Sequence, residues 1–322
     1  MKRAFLTLVL GVSGNVNADA GVGIRIPMKK VVAWNREIRA FVSPRCIRRG
    51  IRGRLAEKGF QVDPQTLEKE QLTDVGDPVK YVDDDLFGYL APEKGKGEIQ
   101  PSRSAPVKVS PLIALHHTEI SVEFAGRFPR TDISGEAERA NPVPFEIETA
   151  KWLGSMHAIV SEEVGRFKKD ELSKSLQEKM GKDYSKLVRK EENYYELNGD
   201  ERRRRVKALF EILLKEGWSF PRGSEAESQP EYHYAILLLS ESFIPTPNVL
   251  KMKDDLELDL DATKEALSLY DWSSAYIIDY RSSSLLSLSK KEGKVDGKAE
   301  KLSEVSLNGV IDAATEFLVS GS

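Results

Sequence analysis

The sequence predicts a mixed fold of the α/β or α+β class, in which strands and helices intermix and carry insertions. Apolar runs over Ala4–Val12, Ser155–Val164 and Tyr234–Leu239 indicate buried strands. Amphipathic segments at Asp200–Glu216 and Ser303–Val319 repeat their apolar residues at helical spacing. The chain has 322 residues and no internal repeat of about 20–50 residues. This length allows one elaborated domain or two domains.

The first residues imitate a secretory signal, but they are better interpreted as a strand. The apolar run is short and β-branched, and polar Ser13, Asn15 and Asn17 separate it from the small residues that resemble a cleavage site. A single cysteine, Cys46, allows no internal disulfide and fits the reducing cytoplasm. No stretch approaches the roughly 18 apolar residues of a membrane span. The sequence therefore favours a cytoplasmic protein without a membrane partner.

A glycine-rich loop follows the first strand. Residues 11–23 contain four glycines and two asparagines, Asn15 and Asn17, which indicates unusual backbone angles. The asparagine amides can bind sugar or phosphate oxygens, or they can cap the turn. Asp19 is the one acid near the basic segment that follows. It can assist metal-dependent phosphodiester cleavage, or, as loop aspartates more commonly do, cap its own turn.

Residues 42–55 predict a helix with one strongly basic face. Ser43 suits the N-cap and Pro44 the first helical position. An apolar stripe of Ile47, Ile51 and Leu55 can dock on a sheet, and the glycines at 50 and 53 suggest close approach of another backbone. Four arginines at i, i+3, i+4 and i+7 share a separate face. These are Arg45, Arg48, Arg49 and Arg52.

The charge of the chain is unevenly distributed. Net charge is −3, but the segment Arg25–Lys58 holds eleven Lys and Arg residues against two acids, which leaves that segment at +9 and the remainder at −12. Trp34 stands in the middle of its first part, a predicted strand or strand pair over Arg25–Arg39. A local basic field within an acidic protein indicates one polyanion-binding surface.

The middle of the chain offers weak metal signals. Gln61–Asp85 is polar and acidic, and its three consecutive aspartates, Asp83–Asp85, are more typical of a helix start than of a divalent metal site. Ala91–Ser104 predicts a mobile loop. A strand resumes over Val107–His116, and the His116-His117 pair lacks the spacing of a metal site.

The segment Thr118–Glu148 predicts an extended, hairpin-like projection. It alternates polar and apolar residues, turns through Gly-Arg-Phe-Pro-Arg and returns through prolines. Its aromatic and basic side chains can stack on bases or pack the projection itself. These residues are Phe124, Arg127, Phe128 and Arg130.

The last third of the chain predicts further helices and strands. Lys168–Lys190 has the character of a charged helix, and Asp200 can cap the helix that follows. The consecutive arginines Arg202–Arg205 splay around that helix, which favours a solvated face. Asp254–Asp261 fits a strand edge or a helix approach, and Ser273–Arg281 a last strand.

The sequence gives no sign of an enzyme. It contains no P-loop, no nucleophile elbow, no H-E-x-x-H and no C-x-x-C. We therefore expect no catalytic residue, no metal ligand and no cofactor.

An ordered set of motifs resembles a known family. The opening strand, the Gly14-Asn15-Val16-Asn17 loop, the phrase over Phe41–Leu55, the stretch Asp85–Tyr89 and the stretch Ser104–Pro111 resemble the repeated backbone subunit of type I CRISPR–Cas surveillance complexes (Cascade). This is Cas family seven of the RAMP superfamily, and the DevR-like group of subtype I-B is the most similar branch. The resemblance extends to about Ser240 and is most specific over residues 1–60.

The resemblance implies an α+β fold with an RRM-like (ferredoxin-like) palm, inserted finger-like and helical regions and a β-hairpin thumb. On this basis, residues 1–322 form one elaborated domain. Residues 61–104 form a finger-like insertion, 118–148 the thumb and 165–230 a helical insertion.

The resemblance also implies a function. Such subunits stack head to tail along one CRISPR RNA and present its bases to target DNA, in antiviral defence or in transposon targeting. Implied partners are CRISPR RNA, target DNA, other copies of the chain and the 5′-handle, large and small Cascade subunits. The thumb is implied to wedge between bases. The implied RNA-binding residues are Asn15, Asn17, Arg25, Lys29, Ser43, Arg45, Arg48, Arg49 and Arg52.

Two alternatives stay open. Related type III backbone subunits cleave target RNA with a loop aspartate, a role that Asp19 would fill. The DevR name also allows a regulator that binds duplex DNA.

Overall fold

A computed structural model describes residues 1–68, 71–91, 101–126, 144–220, 228–291 and 293–320. These residues form twenty strands and six α-helices. The strands are β1 (Arg3–Ser13), β2 (Arg25–Ile26), β3 (Lys30–Val32), β4 (Ile38–Val42), β5 (Thr66–Glu68), β6 (Gln71–Thr73), β7 (Tyr89–Leu90), β8 (Ser102–Arg103), β9 (Val107–Val109), β10 (Leu112–Ala114), β11 (Ser121–Gly126), β12 (Pro144–Thr149), β13 (Lys151–Ser161), β14 (Arg166–Lys168), β15 (Val188–Lys190), β16 (Tyr194–Leu197), β17 (Glu231–Ser240), β18 (Ser274–Asp279), β19 (Ser284–Lys291) and β20 (Lys294–Lys301). The helices are α1 (Pro44–Glu57), α2 (Val82–Phe87), α3 (Lys174–Gly181), α4 (Gly199–Glu211), α5 (Leu260–Ser268) and α6 (Glu304–Val319).

One large antiparallel sheet organises the molecule. Among the described residues its order is β20-β19-β18-β17-β1-β13-β10-β4-β3, and β9 also pairs with β13. Strand β1 lies at the centre, where Leu6 stands between Ala158 of β13 and Leu237 of β17. The apolar run predicted as a strand is thus buried on both faces, which explains why it lacks the alternation of a half-exposed strand.

Helices cover one face of this sheet. Leu6, Leu8 and Leu10 of β1 join a core cluster with residues of α1, α2, α4 and α6. Short apolar stripes on each helix supply the contacts, as the helical spacing of these residues requires. The opposite face carries Phe5 and Val9, which pack with residues 244–272, including α5. The core therefore has three layers.

Four central strands are ordered differently along the chain and in the sheet. β17, β1, β13 and β10 lie side by side. Helix α1 lies between β1 and β10 along the chain, and α4 lies between β13 and β17. In the sheet, β1 and β10 lie two places apart, as do β13 and β17.

Smaller sheets lie outside the central one. β5 and β6 form a hairpin within residues 61–104, and β7 pairs with β8. Within residues 165–230, strands β14, β16 and β15 form a sheet beside α3. The charged segment Lys168–Lys190 therefore has a short 3-10 helix over Lys169–Glu171 and an α-helix only over Lys174–Gly181, because its ends pair with β16.

Two other sequence expectations are corrected. Asn198, rather than Asp200, caps α4, since its side-chain oxygen accepts the N–H of Glu201 at 2.9 Å. The strand predicted over Ser273–Arg281 is β18, but it is not the last one. Strands β19 and β20 follow it at the sheet edge, and their Lys- and Ser-rich outer residues concealed them.

The predicted projection begins and ends as a strand pair. β11 and β12 pair antiparallel, and β12 pairs in parallel with β2. Residues 127–143 lie outside the described residues. In the part of the chain that is described, no helix is both long and apolar enough to cross a membrane.

Candidate nucleic-acid interface

Helix α1 begins where the sequence predicts. The Ser43 hydroxyl accepts the N–H of Cys46 at 3.3 Å, and Pro44 occupies the first turn. Ile47, Ile51 and Leu55 are fully buried against the central sheet. The apolar stripe therefore fixes the rotation of the helix and turns the arginine face outward.

Gly50 and Gly53 of α1 differ in their surroundings, since Gly50 is buried and Gly53 is exposed. A Cβ on Gly50 would stand 2.6 Å from the carbonyl oxygen of Ser219 and 2.6 Å from the Trp218 ring. The close backbone approach predicted for these glycines is therefore real at Gly50, and the approaching chain is the protein itself. A Cβ on Gly53 would meet nothing within 4 Å in the described structure.

Three of the four arginines on the basic face of α1 have no partner among the described residues. Arg45 and Arg49 are exposed, and Arg48 is half-buried. The Arg48 Nε–H is shielded from solvent and donates to no acceptor among the described residues. Burial lowers the pKa of Arg48, and the neighbouring Arg52 and Arg45 lower it further. An anion at this face would relieve both the repulsion and the missing hydrogen bond.

Arg52 is engaged by the protein. Its Nε donates to Asp83 Oδ2 at 2.8 Å, and its guanidinium lies 5.1 Å from the centre of the Phe87 ring. Asp83 belongs to α2, so this pair joins the arginine helix to the segment predicted as finger-like. The aspartates Asp83–Asp85 do begin a helix, as expected, and no group of three potential metal ligands occurs in the described ranges.

The asparagine loop supports the start of α1. Asn17 Oδ1 accepts the N–H of Ser43 at 2.8 Å, and its carbonyl accepts the N–H of Lys29 at 2.9 Å. Asn15 is buried, and its amide donates to the carbonyl of Ile26 at 3.3 Å. Both side chains therefore bind protein groups, which is the capping alternative that the sequence left open. Asn17 is partly exposed beside the helix start, whereas Asn15 is enclosed.

The basic residues before α1 surround one buried carboxylate. Arg25 and Lys30 bind Glu148 at 3.1 and 2.8 Å, and Glu148 also accepts the N–H of Met28. Burial opposes ionisation of Glu148, but these donors outweigh it and lower its pKa. Lys29 has no ion pair among the residues described. The base of the projection is thus tied to the basic segment.

Two functional groups in or near α1, the Cys46 thiol and the Asp19 carboxylate, contact neighbouring backbone groups. Burial raises the pKa of Cys46 to about 11, and its thiol lies 3.7 Å from the carbonyl of Val16. Asp19 is exposed, and its Oδ1 accepts the N–H of Ala20 at 2.9 Å. That bond reaches only the next residue, so it is local to the loop and differs from the Asx turn, which reaches the residue two places on.

One of the four proposed thumb residues is described. Phe124 lies on β11 and is 71% exposed, which leaves its ring free to contact a partner. The other three proposed thumb residues, Arg127, Phe128 and Arg130, lie outside the described residues.

The arginines of α4 correct a sequence expectation. Arg203 and Arg204 are exposed, as predicted, but Arg202 and Arg205 are buried. Arg202 binds Glu196 at 2.7 Å, and Arg205 binds Asp85 at 2.9 Å. The reason is their i, i+3 spacing, which turns both toward carboxylates supplied by distant segments. The sequence analysis did not identify Glu196 and Asp85 as the partners of these arginines.

Comparisons with known proteins bear on the family and the fold of the chain. Residues 42–258 match the family model described as "CRISPR-associated negative auto-regulator DevR/Csa2". A search of curated proteins finds no match. A solved chain titled "CRISPR RNA-guided surveillance complex, pre-nicking" is similar with a TM-score of 0.52 and 14% identity, over 97% of this chain and 100% of that chain. Another, titled "CRISPR RNA-guided surveillance complex", gives 0.49 and 14% over 97% and 99%. At this identity the first likeness concerns the fold.

Proposed function

Because the chain belongs to the CRISPR-associated DevR/Csa2 family, we propose that it is the RNA-holding backbone subunit of a type I CRISPR surveillance complex. Within that class we assign it to the DevR-like group of subtype I-B. Copies bind one CRISPR RNA in the cytoplasm, together with the 5′-handle, large and small subunits, and present its bases to target DNA. The complex serves antiviral defence or transposon targeting.

The observation that carries the proposal is the arginine face of α1. Arg45, Arg48 and Arg49 lie together without counter-ions in the described structure, and the Arg48 Nε still needs an acceptor. Guanidinium groups bind phosphates in bidentate fashion. Such contacts fix a strand in register without reading its sequence. This is the property that a subunit needs if it holds guides of any sequence.

Arg52 has a different role in this proposal. Its bond to Asp83 and its stacking on Phe87 hold the guanidinium in one position at the end of the arginine face. One remaining edge can bind a phosphate. Asn17 and Ser43 act mainly by fixing the loop and the helix start beside the RNA.

The strand order supports an RRM-like palm. The chain order β1–α1–β10–β13–α4–β17, with β17, β1, β13 and β10 adjacent in space, matches the β-α-β-β-α-β pattern of ferredoxin-like folds. The additional strands then extend this palm on both sides. Residues 61–104 and 165–230 are its insertions.

The projection supports the thumb assignment. β11 and β12 leave the central sheet as an antiparallel pair, and Phe124 stands exposed on it. An apolar side chain that enters a base stack costs a few kcal/mol, which backbone contacts and a neighbouring subunit must offset. Head-to-tail contact between copies would align their basic segments along one strand.

The proposal assigns no catalytic residue and no cofactor. The Asp19 carboxylate accepts the N–H of the next residue, Ala20, so it is engaged within its own loop. A nuclease would lose RNA cleavage on Asp19→Ala, which a separate cleavage assay measures. A duplex-DNA regulator would bind a defined double-stranded site as a discrete oligomer, which the binding experiment below measures.

The test compares two arginine variants on matched helices. Arg49→Ala removes an exposed, unpartnered guanidinium from α1, and Arg203→Ala removes an exposed one that is paired with Glu316 on α6. Binding of single-stranded CRISPR RNA is measured over a salt series. We expect log K to fall with log[salt] at a slope of about −0.7 per phosphate contact. Arg49→Ala should weaken binding and make this slope shallower by about one contact, whatever the RNA sequence.

Arg203→Ala should leave both affinity and slope unchanged. Equal losses for the two variants would contradict the proposal, as would a loss confined to one RNA sequence. Preference for duplex DNA over RNA by the wild-type protein would select the regulator instead.

A further inference from the structure

A tryptophan stands almost fully in solvent at the tip of the β3–β4 hairpin. Trp34 is 95% exposed, whereas Trp152 and Trp218 are 3% and 1% exposed. The cross-strand pair below it, Val32 and Ile38, is exposed as well. Large aromatic side chains are rarely left without contacts on a monomer surface, and those that are often mark an interaction site.

The turn that carries Trp34 is held in place. The N–H of Ala33 donates to the carbonyl of Glu37 at 2.8 Å, and the N–H of Arg36 donates to the carbonyl of Ala33 at 2.8 Å. The Asn35 side chain accepts the N–H of Glu37 at 3.2 Å. Arg36 adopts a left-handed backbone conformation with φ of 68°. A closed turn of this kind presents the indole at low entropic cost to a ligand.

The surroundings of Trp34 are cationic. Arg25–Arg39 contains five basic residues and one acid, Glu37. Glu37 is already bound to Arg39 at 2.9 Å. Neither Arg36 nor Lys29 has an ion pair among the residues that the structure describes. A protein partner for this tip would need to supply acids, whereas a nucleic acid supplies phosphates and a stacking face together.

The hairpin is continuous with the arginine helix. β4 runs from the turn directly to Ser43, the N-cap of α1. The six residues from Glu37 to Ser43 span about 20 Å at roughly 3.3 Å per residue. A single strand bound at the arginine face is therefore within reach of the hairpin tip.

We propose that Trp34 is a stacking platform for an unpaired base of the strand that α1 holds, with Arg36 in the same turn neutralising an adjacent phosphate and Lys29 neutralising a phosphate nearer α1. This inference rests on the proposed function, because it takes the bound strand from it. It adds a base-contacting residue outside the projection Thr118–Glu148. Stacking of this kind accepts any base, so it is compatible with a guide of any sequence.

The first measurement uses tryptophan fluorescence of the full chain during titration with single-stranded RNA. The chain has four tryptophans, and Trp272 is half-buried with its indole N–H bound to the carbonyl of Leu267. Quenching on RNA addition should therefore come from Trp34. It should disappear in Trp34→Phe, which keeps an aromatic ring and should bind RNA nearly as well as wild type.

The second measurement is affinity. Trp34→Ala should bind single-stranded RNA about 5- to 100-fold more weakly, the range expected for losing one base–aromatic stack. On an abasic strand of the same length, wild type and Trp34→Ala should bind equally. Phe243→Ala, which removes another exposed aromatic ring, is the matched control and should change neither affinity. A DNA strand of the same sequence shows whether the base must belong to RNA.

The inference is overturned if Trp34→Ala binds intact RNA like wild type, or if it loses affinity equally for intact and abasic strands. It is also overturned if Trp34 emission shifts with protein concentration in the absence of RNA, since that result marks a protein contact. Failure of wild type to bind RNA at all would instead refute the proposed function.

Discussion

Helix α1 carries five arginines and helix α4 four, and the structure uses the two sets differently. On α4 every arginine has a carboxylate partner, and Arg202 and Arg205 are buried with theirs. On α1, Arg52 pairs with Asp83, and Arg54 pairs with Glu57 and Glu216. The other three arginines of α1 have no partner in the described ranges. The number of arginines on a helix thus says little about its role. What matters is whether the fold brings acids to them.

The supply of acids depends on α2 and β16. Asp85 is fully buried and accepts hydrogen bonds from Arg103, Arg205 and the N–H of Gly165. Glu196 of β16 accepts bonds from Arg202, Arg166 and Arg189. These buried networks hold the inserted segments to the sheet, and removing one partner leaves an uncompensated charge. Arg45, Arg48 and Arg49 of α1 take part in no such network among the described residues.

The largest expected effect on stability concerns the buried arginines of α4. Arg205→Ala leaves Asp85 with one arginine fewer and removes donors from the carbonyls of Pro78 and Val79. We expect it to lower the free energy of unfolding by about 3–5 kcal/mol. Urea denaturation measures this. Arg49→Ala should stay within about 0.5 kcal/mol of wild type, and comparable losses for both variants would break the comparison.

A second prediction concerns the pH dependence of stability that arises from Asp84, a buried aspartate of α2. Burial, together with the nearby Asp63 and Asp83, raises the pKa of Asp84 to about 9. The folded state therefore keeps a proton that the unfolded chain releases above about pH 4. Stability should fall as pH rises between these values, by at most about 1.4 kcal/mol per pH unit. Above about pH 9 the decline should end.

Asp84→Asn should remove this decline, because an amide can accept the N–H of Asp77 and donate to Asp63 without titrating. Urea denaturation at about pH 6 and about pH 8 compares the slopes. Asp19→Asn at an exposed turn is the control and should keep the wild-type slope. An unchanged slope in Asp84→Asn would show that another group causes the decline.

The smallest expected effect concerns the stability of two glycine variants of α1. Gly50→Ala should destabilise the fold by about 1–3 kcal/mol, because its Cβ would overlap the backbone that follows α4. Gly53→Ala should stabilise it by up to about 1 kcal/mol, since the position is open and alanine favours helix. Thermal denaturation distinguishes them. If Gly53→Ala also weakens RNA binding, a strand passes close to that face; equal stability of the two variants would contradict the packing.

Local features could be predicted from the sequence because their causes lie within a few residues. The N-cap at Ser43, the arginine spacing of α1 and the strand at Ala4–Val12 all follow from nearby residues. The partners of Arg52, Arg202 and Arg205 could not be predicted, since they come from segments brought close only by folding. The capping role of Asn17 depends in the same way on Ser43.

The edges of the large sheet were harder to predict than its centre. β19 and β20 mix leucine, serine, lysine and glutamate, because one side of an edge strand faces water. The helix predicted over Lys168–Lys190 failed for a related reason. Its charged residues have high helix propensity, but pairing with β16 outweighs that preference at both ends.

The central position of β1 has a consequence for synthesis of the chain. β1 ends at Ser13, and its two neighbours begin only at Lys151 and Glu231. At a translation rate of about 5–20 residues per second, β1 waits roughly 10–50 s for the second of them. During that time an uncharged, apolar segment from Ala4 to Val12 has no strand to pair with. Newly made chains therefore depend on rapid shielding of this segment, and slower translation of the middle of the gene should increase their aggregation.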